Sequence, residues 1–245
     1  MSANLTALAT FSPLYQQIKA MLLASLQAGE WQPGEVIPSE FELAARYEVS
    51  QGTVRKAIDE LTAQNLLIRK QGKGTFVATH HEERQQFRFL RLAPDGGQAM
   101  VLKNHFLSCK KMKAPAFITQ VLKIKARESL IEIERVQTFA GKAIVFEQIW
   151  LPSLRFKTLN LATLQAWAGP LYALYESTFA THMVRAEEKI KAVASDAMSA
   201  ERLNLQLGAP ILLVERVSYS YGNKPVEMRL ARYETSTQHY ENTLS

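Results

Sequence analysis

Several polar side chains that can bind nucleic-acid bases lie within six positions of one another in the first third of the chain. Gln51, Thr53, Arg55 and Lys56 carry an amide, a hydroxyl, a guanidinium and an ammonium group. An amide can pair with adenine through two hydrogen bonds, and guanidinium or ammonium groups can bind guanine or phosphate. Gly52 has no side chain to block close approach of the backbone. These residue types at this spacing favour binding to double-stranded DNA.

Two short helices joined by a turn are predicted to position these side chains. Ser39 and Glu42 form a capping-box pattern that begins a helix reaching about Arg46, and Ser50 is expected to cap a second helix over 51–64. Apolar residues recur on the second helix at the spacing of one buried face, at Val54, Ala57, Ile58 and Leu61. This pattern is typical of a helix-turn-helix, whose second helix enters the major groove.

The elements before and after this pair complete the predicted domain. An earlier helix is expected to begin with Ser12 as its cap and Pro13 in its first turn, and to end at Gly29. Residues 66–70 and 75–77 are predicted strands around a glycine-rich turn, and such a wing can follow phosphates or enter the minor groove. An ordinary surface turn is the alternative, because helix-helix-hairpin patterns also occur in domains that bind no DNA.

The overall charge alone does not identify a nucleic-acid-binding protein. The net charge is +6, but residues 1–80 carry seven basic and seven acidic side chains. The basic residues of this region cluster near the helix-turn-helix, at Arg55, Lys56, Arg69, Lys70 and Lys73. No apolar run is long enough to span a membrane and no secretory signal is visible. With Cys109 as the single cysteine, these features predict a cytoplasmic protein without disulfides, metal or cofactor.

The N-terminal motifs resemble the GntR family of bacterial transcription regulators, in register over about residues 13–78. The matching motifs are Pro38-Ser39-Glu40, Leu43-Ala44, Val49-Ser50, Thr53-Val54-Arg55-Lys56-Ala57, Leu61 and Gln71-Gly72-Lys73-Gly74-Thr75-Phe76-Val77. Gln51 departs from the family, which commonly has Arg there, so adenine or a weaker contact is expected. The predicted DNA-binding residues are Ser39, Glu40, Ser50, Gln51, Gly52, Thr53, Arg55, Lys56, Gly72, Lys73, Gly74 and Thr75.

Strands dominate the remaining two thirds of the chain. In two successive alternating segments, Arg135, Gln137 and Glu147 interrupt faces that are otherwise apolar. A buried charge is costly, so each of them requires an ion pair, water or a ligand. Residues 130–145 align with 211–226 at an offset of 81, matching Val145 with Val226. Two similar hairpins with helices between them predict a pseudo-symmetric, antiparallel α+β domain.

These hairpins resemble the UTRA effector domain of the HutC-type branch of GntR regulators, over about residues 87–240, and imply a chorismate-lyase-like fold. Supporting motifs are Leu151-Pro152, Leu171-Tyr172, Pro225-Val226-Glu227 and Arg232-Tyr233. The resemblance implies effector-binding residues at Phe89, Arg135, Gln137, Glu147, Tyr172, Glu227 and Tyr233. An Arg135–Glu147 salt bridge and simple core packing of both tyrosines are the alternatives.

A phosphosugar is not expected as the ligand, because groups typical of phosphosugar-sensing members are missing. A less charged metabolite with one carboxylate, such as an amino-acid or imidazole-pathway intermediate, is expected instead. Gln137 stands where those members have a second Arg, and Pro170 where they often have Ser. The domains are predicted as a winged helix-turn-helix over 11–79, a linker over 80–86 and an effector-binding and dimerisation domain over 87–245. Adjacent His80 and His81 favour a solvated linker over a metal site.

The leading interpretation is a bacterial, effector-responsive repressor that binds a palindromic operator as a homodimer. An enzyme with a DNA-binding appendage is one alternative, although the sequence shows no nucleophile-base pairing or phosphate-binding loop. An architectural DNA protein without an effector is the other. Ligand turnover would identify the enzyme, and DNA affinity indifferent to metabolites would identify the architectural protein.

Overall fold

The chain divides into two compact units, with the boundary between Thr79 and His80. The computed structural model describes residues 12–80, 92–97 and 101–241. The predicted effector residue Phe89 and linker residues 81–86 lie outside these ranges. No helix in the described ranges is long and apolar enough to cross a membrane.

The N-terminal unit is a helix-turn-helix followed by a two-stranded wing, as predicted. Its elements are α1 (Leu14–Ala28), α2 (Glu40–Arg46), α3 (Gln51–Ala63), β1 (Leu67–Lys70) and β2 (Gly74–Val77). The apolar face of α3 is completely buried against the other helices, together with Leu43 of α2 and Leu22 of α1. The short helices therefore depend on tertiary burial, since isolated helices of this length are marginal in water.

Side-chain caps fix where two of the three helices begin. Ser39 and Glu42 form the predicted capping box, and the Ser50 hydroxyl accepts a hydrogen bond of 3.2 Å from the Thr53 amide. The predicted cap at Ser12 is wrong. Pro13 occupies that position with an extended backbone (ψ 143°), so α1 begins one residue later and without a side-chain cap.

The wing is a tight antiparallel hairpin whose turn requires glycine. Lys70 pairs with Gly74, and the Lys73 amide donates to the Lys70 carbonyl at 2.9 Å. Gly74 has a φ of 108°, and a Cβ there would lie 3.2 Å from the Val36 side chain. A side chain at this position would strain the turn and press on Val36.

The C-terminal unit is built around a six-stranded antiparallel sheet in the order β4-β5-β6-β9-β8-β7. Its strands are β4 (Lys103–Lys113), β5 (Ser129–Phe139), β6 (Lys142–Pro152), β7 (Arg185–Ala194), β8 (Pro210–Ser220) and β9 (Lys224–Tyr233). The helices are α4 (Ala116–Leu122), α5 (Leu161–Ala166), α6 (Leu171–Phe179) and α7 (Ala197–Leu203). A second small sheet pairs β3 (Leu92–Pro94) with β10 (Gln238–Tyr240). The predicted α+β class is confirmed.

The internal repeat extends over both halves of the sheet. Strand, helix and hairpin follow in the same order from β4 to β6 and from β7 to β9. Each hairpin carries a bulge at the corresponding point, after Gln137 in the first and after Ser218 in the second. The second turn is one residue longer, so the register makes Val145 equivalent to Glu227. The alignment of Val145 with Val226 is therefore off by one residue beyond the turn.

The two faces of the sheet are covered by different helices. Helices α4 and α7 pack against one face, in clusters that include Trp150 and Phe146. Helix α6 packs against the other face through Leu171, Tyr172 and Tyr175. The polar residues Arg135 and Glu147 point to the face covered by α6. Side chains at every second position of a strand share a face, and Ile133 and Ile149, two positions away from them, pack in the α6 cluster.

Candidate DNA-binding surface and buried ligand-site network

The start of α3 presents the predicted base-reading side chains to solvent. Gln51, Gly52, Arg55 and Lys56 are exposed, and Thr53 is half-buried. The Lys56 ammonium lies 4.0 Å from the centre of the Tyr15 ring on α1, at the distance of a cation–π contact. The first two turns of α3 thus carry exposed hydrogen-bond donors, as docking of a recognition helix in a DNA groove requires.

A single carboxylate holds two arginines on this surface. Glu40 of α2 accepts hydrogen bonds of 2.9 Å from Arg55 Nε and 2.9 Å from Arg69 Nη2. Arg69 also pairs with Asp59 at 2.8 Å. Glu40 was predicted to contact DNA, and the structure places its carboxylate between the recognition helix and the wing. Arg69 was not among the predicted site residues, although its position in the basic cluster was a signal.

The wing and the two helix starts enclose a concave surface, called here the wing groove. Its volume is about 850 Å³, and its lining comprises Trp31, residues 36–42, Gln51 and residues 69–75. The predicted wing residues Gly72, Lys73 and Gly74 are exposed at its rim, with Thr75 half-buried beside them. Of the predicted contacts, Ser50 and Thr53 hydrogen-bond to one another at 2.9 Å between their hydroxyl oxygens.

In the C-terminal unit, Glu147 lies at the centre of a buried charge network. It pairs with Arg135 on the neighbouring strand β5 and, at 3.0 Å, with Arg229 on β9. Burial alone would raise the pKa of the Glu147 carboxyl, but Arg135 and then Arg229 lower this pKa to about 2. The salt bridge that the sequence left open as an alternative is therefore present.

A second carboxylate extends the network to helix α6. Glu227 is completely buried and accepts from Arg229 Nη2 at 3.0 Å and from the Tyr172 hydroxyl at 2.8 Å. Tyr172 lies 2.9 Å from the Ser218 hydroxyl as well. The structure thus brings the predicted residues Tyr172, Glu227, Glu147 and Arg135 into one connected cluster.

Two further predicted residues border this cluster. Gln137 donates to Asn104 Oδ1 at 2.8 Å, and Arg135 Nη1 donates to the same oxygen at 3.1 Å. Tyr233 packs in an apolar cluster with Val145 and Val214, where burial raises its pKa to about 12. Packing is thus the main role that the structure shows for Tyr233.

The sequence interpretation missed Arg229, Arg216 and Asn104. Arg216 is buried and donates to Glu188 at 2.6 Å. The internal repeat pointed to it, because Arg216 is the counterpart of Arg135. Arg229 is the counterpart of Glu147 in the sheet register, so the opposite charge at that position concealed the correspondence. The contact between Asn104 and Gln137 could not be predicted from the sequence, because it depends on the pairing of β4 with β5.

The boundary residue His80 does not belong to a solvated linker. Its side chain is buried, its amide donates to Glu176 Oε2 at 2.9 Å, and its Nε2 lies 2.9 Å from the Met183 carbonyl oxygen. Glu176 belongs to α6, one helical turn after Tyr172. In the described ranges, no group of three or more His, Cys, Asp or Glu side chains could hold a metal ion.

The winged helix-turn-helix, joined to an antiparallel sheet covered by helices, is the architecture of a DNA-binding transcription regulator. The family model of the UTRA domain matches residues 97–239, and that of the bacterial regulatory proteins of the gntR family matches residues 14–77. The chain therefore belongs to the GntR-family transcription regulators that carry a UTRA domain.

Several known proteins are similar to this chain. A protein of Escherichia coli K12 named as a fructoselysine utilization operon transcriptional repressor is 28% identical over 216 residues, 88% of each chain. The mannosyl-D-glycerate transport/metabolism system repressor MngR of the same organism is 28% identical over 236 residues, 95% of each chain. A solved structure described as the ligand-binding domain of a GntR-family regulator from Bordetella bronchiseptica is 40% identical. It covers 64% of this chain and 98% of that one, with a TM-score of 0.63.

Proposed function

We propose that this regulator is a repressor of HutC type that binds a palindromic operator as a homodimer and responds to a small molecule in its C-terminal unit. The proposed DNA binding rests on two salt bridges from Glu40, which orient Arg55 and Arg69 toward one exposed surface. Both arginines keep about half of their side chains exposed, at 57% and 42%. They are therefore held in place and remain available to bases or phosphates.

Homodimerisation follows from the symmetry of such a target. One recognition helix reads one half-site, and a second copy related by a twofold axis reads the other. The effector would act by binding one arrangement of the dimer more tightly than another. Since the target is the bacterial chromosome, the proposed site of action is the cytoplasm.

The proposed effector carries a carboxylate. Arg135 uses Nε for Glu147 and Nη1 for Asn104, and across the described residues no hydrogen bond engages its Nη2. A ligand carboxylate can accept from that group. The names of two relatives refer to fructoselysine and mannosyl-D-glycerate, and both compounds combine a carboxylate with a sugar. This chemistry supports a hydroxylated carboxylate, with Tyr172 among the residues near it.

Selection of operator DNA from a random pool tests the first part of the proposal. The chain should enrich a palindrome, and Arg55→Ala should weaken binding to it by about 1–3 kcal/mol. Lys73→Ala should weaken binding to all DNA sequences alike and reduce the slope with which affinity falls as salt concentration rises. Arg185→Ala, which removes a half-buried arginine of the C-terminal unit, is the matched control and should bind like the parent. Failure to enrich any sequence would contradict the proposal.

A thermal-melt panel of amino acids, sugar acids and sugar phosphates tests the effector. A ligand at a hundred times its Kd adds about 2.7 kcal/mol to the free energy of unfolding, which is several degrees in a chain of this size. The shift should disappear in Arg135→Lys and persist in Arg185→Ala. A shift with sugar phosphates alone would contradict the carboxylate, and turnover of the ligand would support the enzyme alternative.

A further inference from the structure

Phe41 is a large apolar side chain exposed in the middle of the candidate DNA-binding surface. It is 75% exposed, although it sits on a helix whose next apolar residue, Leu43, is completely buried. A single exposed apolar side chain is common on protein surfaces, so exposure alone assigns no role. Phe41 differs in its location, because it lines the wing groove next to Glu40 and Gln51.

The neighbours of Phe41 are already engaged with other groups. Glu42 accepts from the amide and hydroxyl of Ser39 in the capping box, each at 2.8 Å. Glu40 holds Arg55 and Arg69, as described above. Phe41 is thus the apolar side chain of the first turn of α2, and it lines the wing groove between these two engaged carboxylates.

The location of Phe41 fits the groove edge that α3 would read. Gln51, the first residue of α3, lies 3.5 Å from Glu40 through its amide nitrogen, so the starts of the two helices adjoin. The groove rim is basic, with Lys70 and Lys73, and complements a phosphate backbone. A DNA duplex seated against Arg55 would therefore meet Phe41 as well.

We propose that Phe41 reads a thymine in each operator half-site through the C5-methyl group. The thymine methyl is the apolar group that the major groove displays, and contact with Phe is one of its recognised modes of readout. Phe41 would make this position specific for thymine, beside the polar readout from Gln51 and Arg55. This inference rests on the proposed DNA-binding function.

Deoxyuridine differs from thymidine only by the missing methyl and is the probe for this contact. Each thymine of the selected operator is replaced singly by deoxyuridine, and affinities are measured by fluorescence anisotropy. For the parent chain, one position per half-site should lose about fourfold in affinity, the value of burying one methyl-sized group. Phe41→Ala should bind the operator more weakly and should not distinguish thymine from deoxyuridine at that position.

Met21→Ala is the matched control, because Met21 is 51% exposed on α1 and does not line the wing groove. This variant should keep the full response to deoxyuridine. Unchanged affinity in Phe41→Ala, or an equal loss on the thymine and deoxyuridine operators, would overturn the methyl contact while leaving DNA binding established. If no operator is enriched, the proposed function fails first and the inference falls with it.

Discussion

Glu147 and Arg229 occupy equivalent positions in the two halves of the sheet and are joined by an ion pair of 3.0 Å. Each is the cross-strand partner of an arginine, Arg135 in the first hairpin and Arg216 in the second. The central pair Gln148 and Leu230 lies between them, where a pseudo-twofold axis would pass. Like charges at these two equivalent positions would repel each other, whereas the opposite charges that occupy them attract.

Loss of the Glu147 charge should destabilise the C-terminal unit. Glu147→Gln leaves the buried Arg135 and Arg229 without their shared counter-charge, which should lower the free energy of unfolding by about 3–5 kcal/mol. Urea unfolding monitored by circular dichroism measures this change. Glu187→Gln removes an exposed partner of Arg185 and should unfold like the parent. Equal behaviour of the two variants would mean that the network contributes no stability.

The same carboxylate should make stability depend on acid pH. The pKa of Glu147 is about 2 in the folded chain and about 4.5 when unfolded, so its ionisation stabilises the fold above pH 4.5. As pH falls from 4.5 towards 2, about 3 kcal/mol of this stabilisation should be lost. Unfolding measured across this range should therefore show a smaller difference between parent and Glu147→Gln at low pH. A difference that is constant with pH would refute the assignment.

Removal of the hydroxyl should affect stability differently at two neighbouring tyrosines, Tyr172 and Tyr175. Tyr172→Phe removes a donor to the buried Glu227 carboxylate and should cost about 1–3 kcal/mol. The Tyr175 hydroxyl is buried with no hydrogen-bond partner in the described part of the chain. Tyr175→Phe should therefore be neutral or stabilising. Thermal melts of both variants provide the comparison, and equal losses would contradict the distinction.

Glu40→Gln should trade sequence specificity for general DNA affinity. The variant removes a negative charge from the candidate DNA-binding surface, which should favour phosphate binding to any sequence. It also releases Arg55 and Arg69 from their shared carboxylate, so their orientation toward bases is lost. The ratio of operator to random-DNA affinity should fall, as measured by competition. A ratio that stays at the parent value would show that Glu40 does not position the arginines.

Local signals made the N-terminal unit predictable. The capping box at Ser39, the cap at Ser50 and the apolar spacing on α3 each depend on residues close in sequence, and all three are present. The prediction of Ser12 as the cap of α1 was wrong because the ring of Pro13 fixes its φ but leaves its ψ free to be helical or extended. The exposure of Phe41 could not be anticipated, because apolar spacing on a helix of seven residues does not define one face.

The buried network was only partly predictable, because strand alternation gives the face of a residue but not its neighbours. The alternation along β5 and β6 correctly placed Arg135, Gln137 and Glu147 on one face of the sheet, as polar residues that need partners. The partner Arg229 depends on β6 pairing with β9, which are far apart in sequence. Repeat equivalence could have suggested the position, but the one-residue difference between the turns shifted the alignment beyond Gly141.

Helix α6 ties the boundary between the two units to the charges on the sheet. Tyr172 and Glu176 lie one turn apart on its surface, the first bonded to Glu227 and the second to the backbone of His80. A displacement of this helix would therefore stretch both hydrogen bonds at once. The buried charge cluster and the first residue of the C-terminal unit are thus held by successive turns of the same helix.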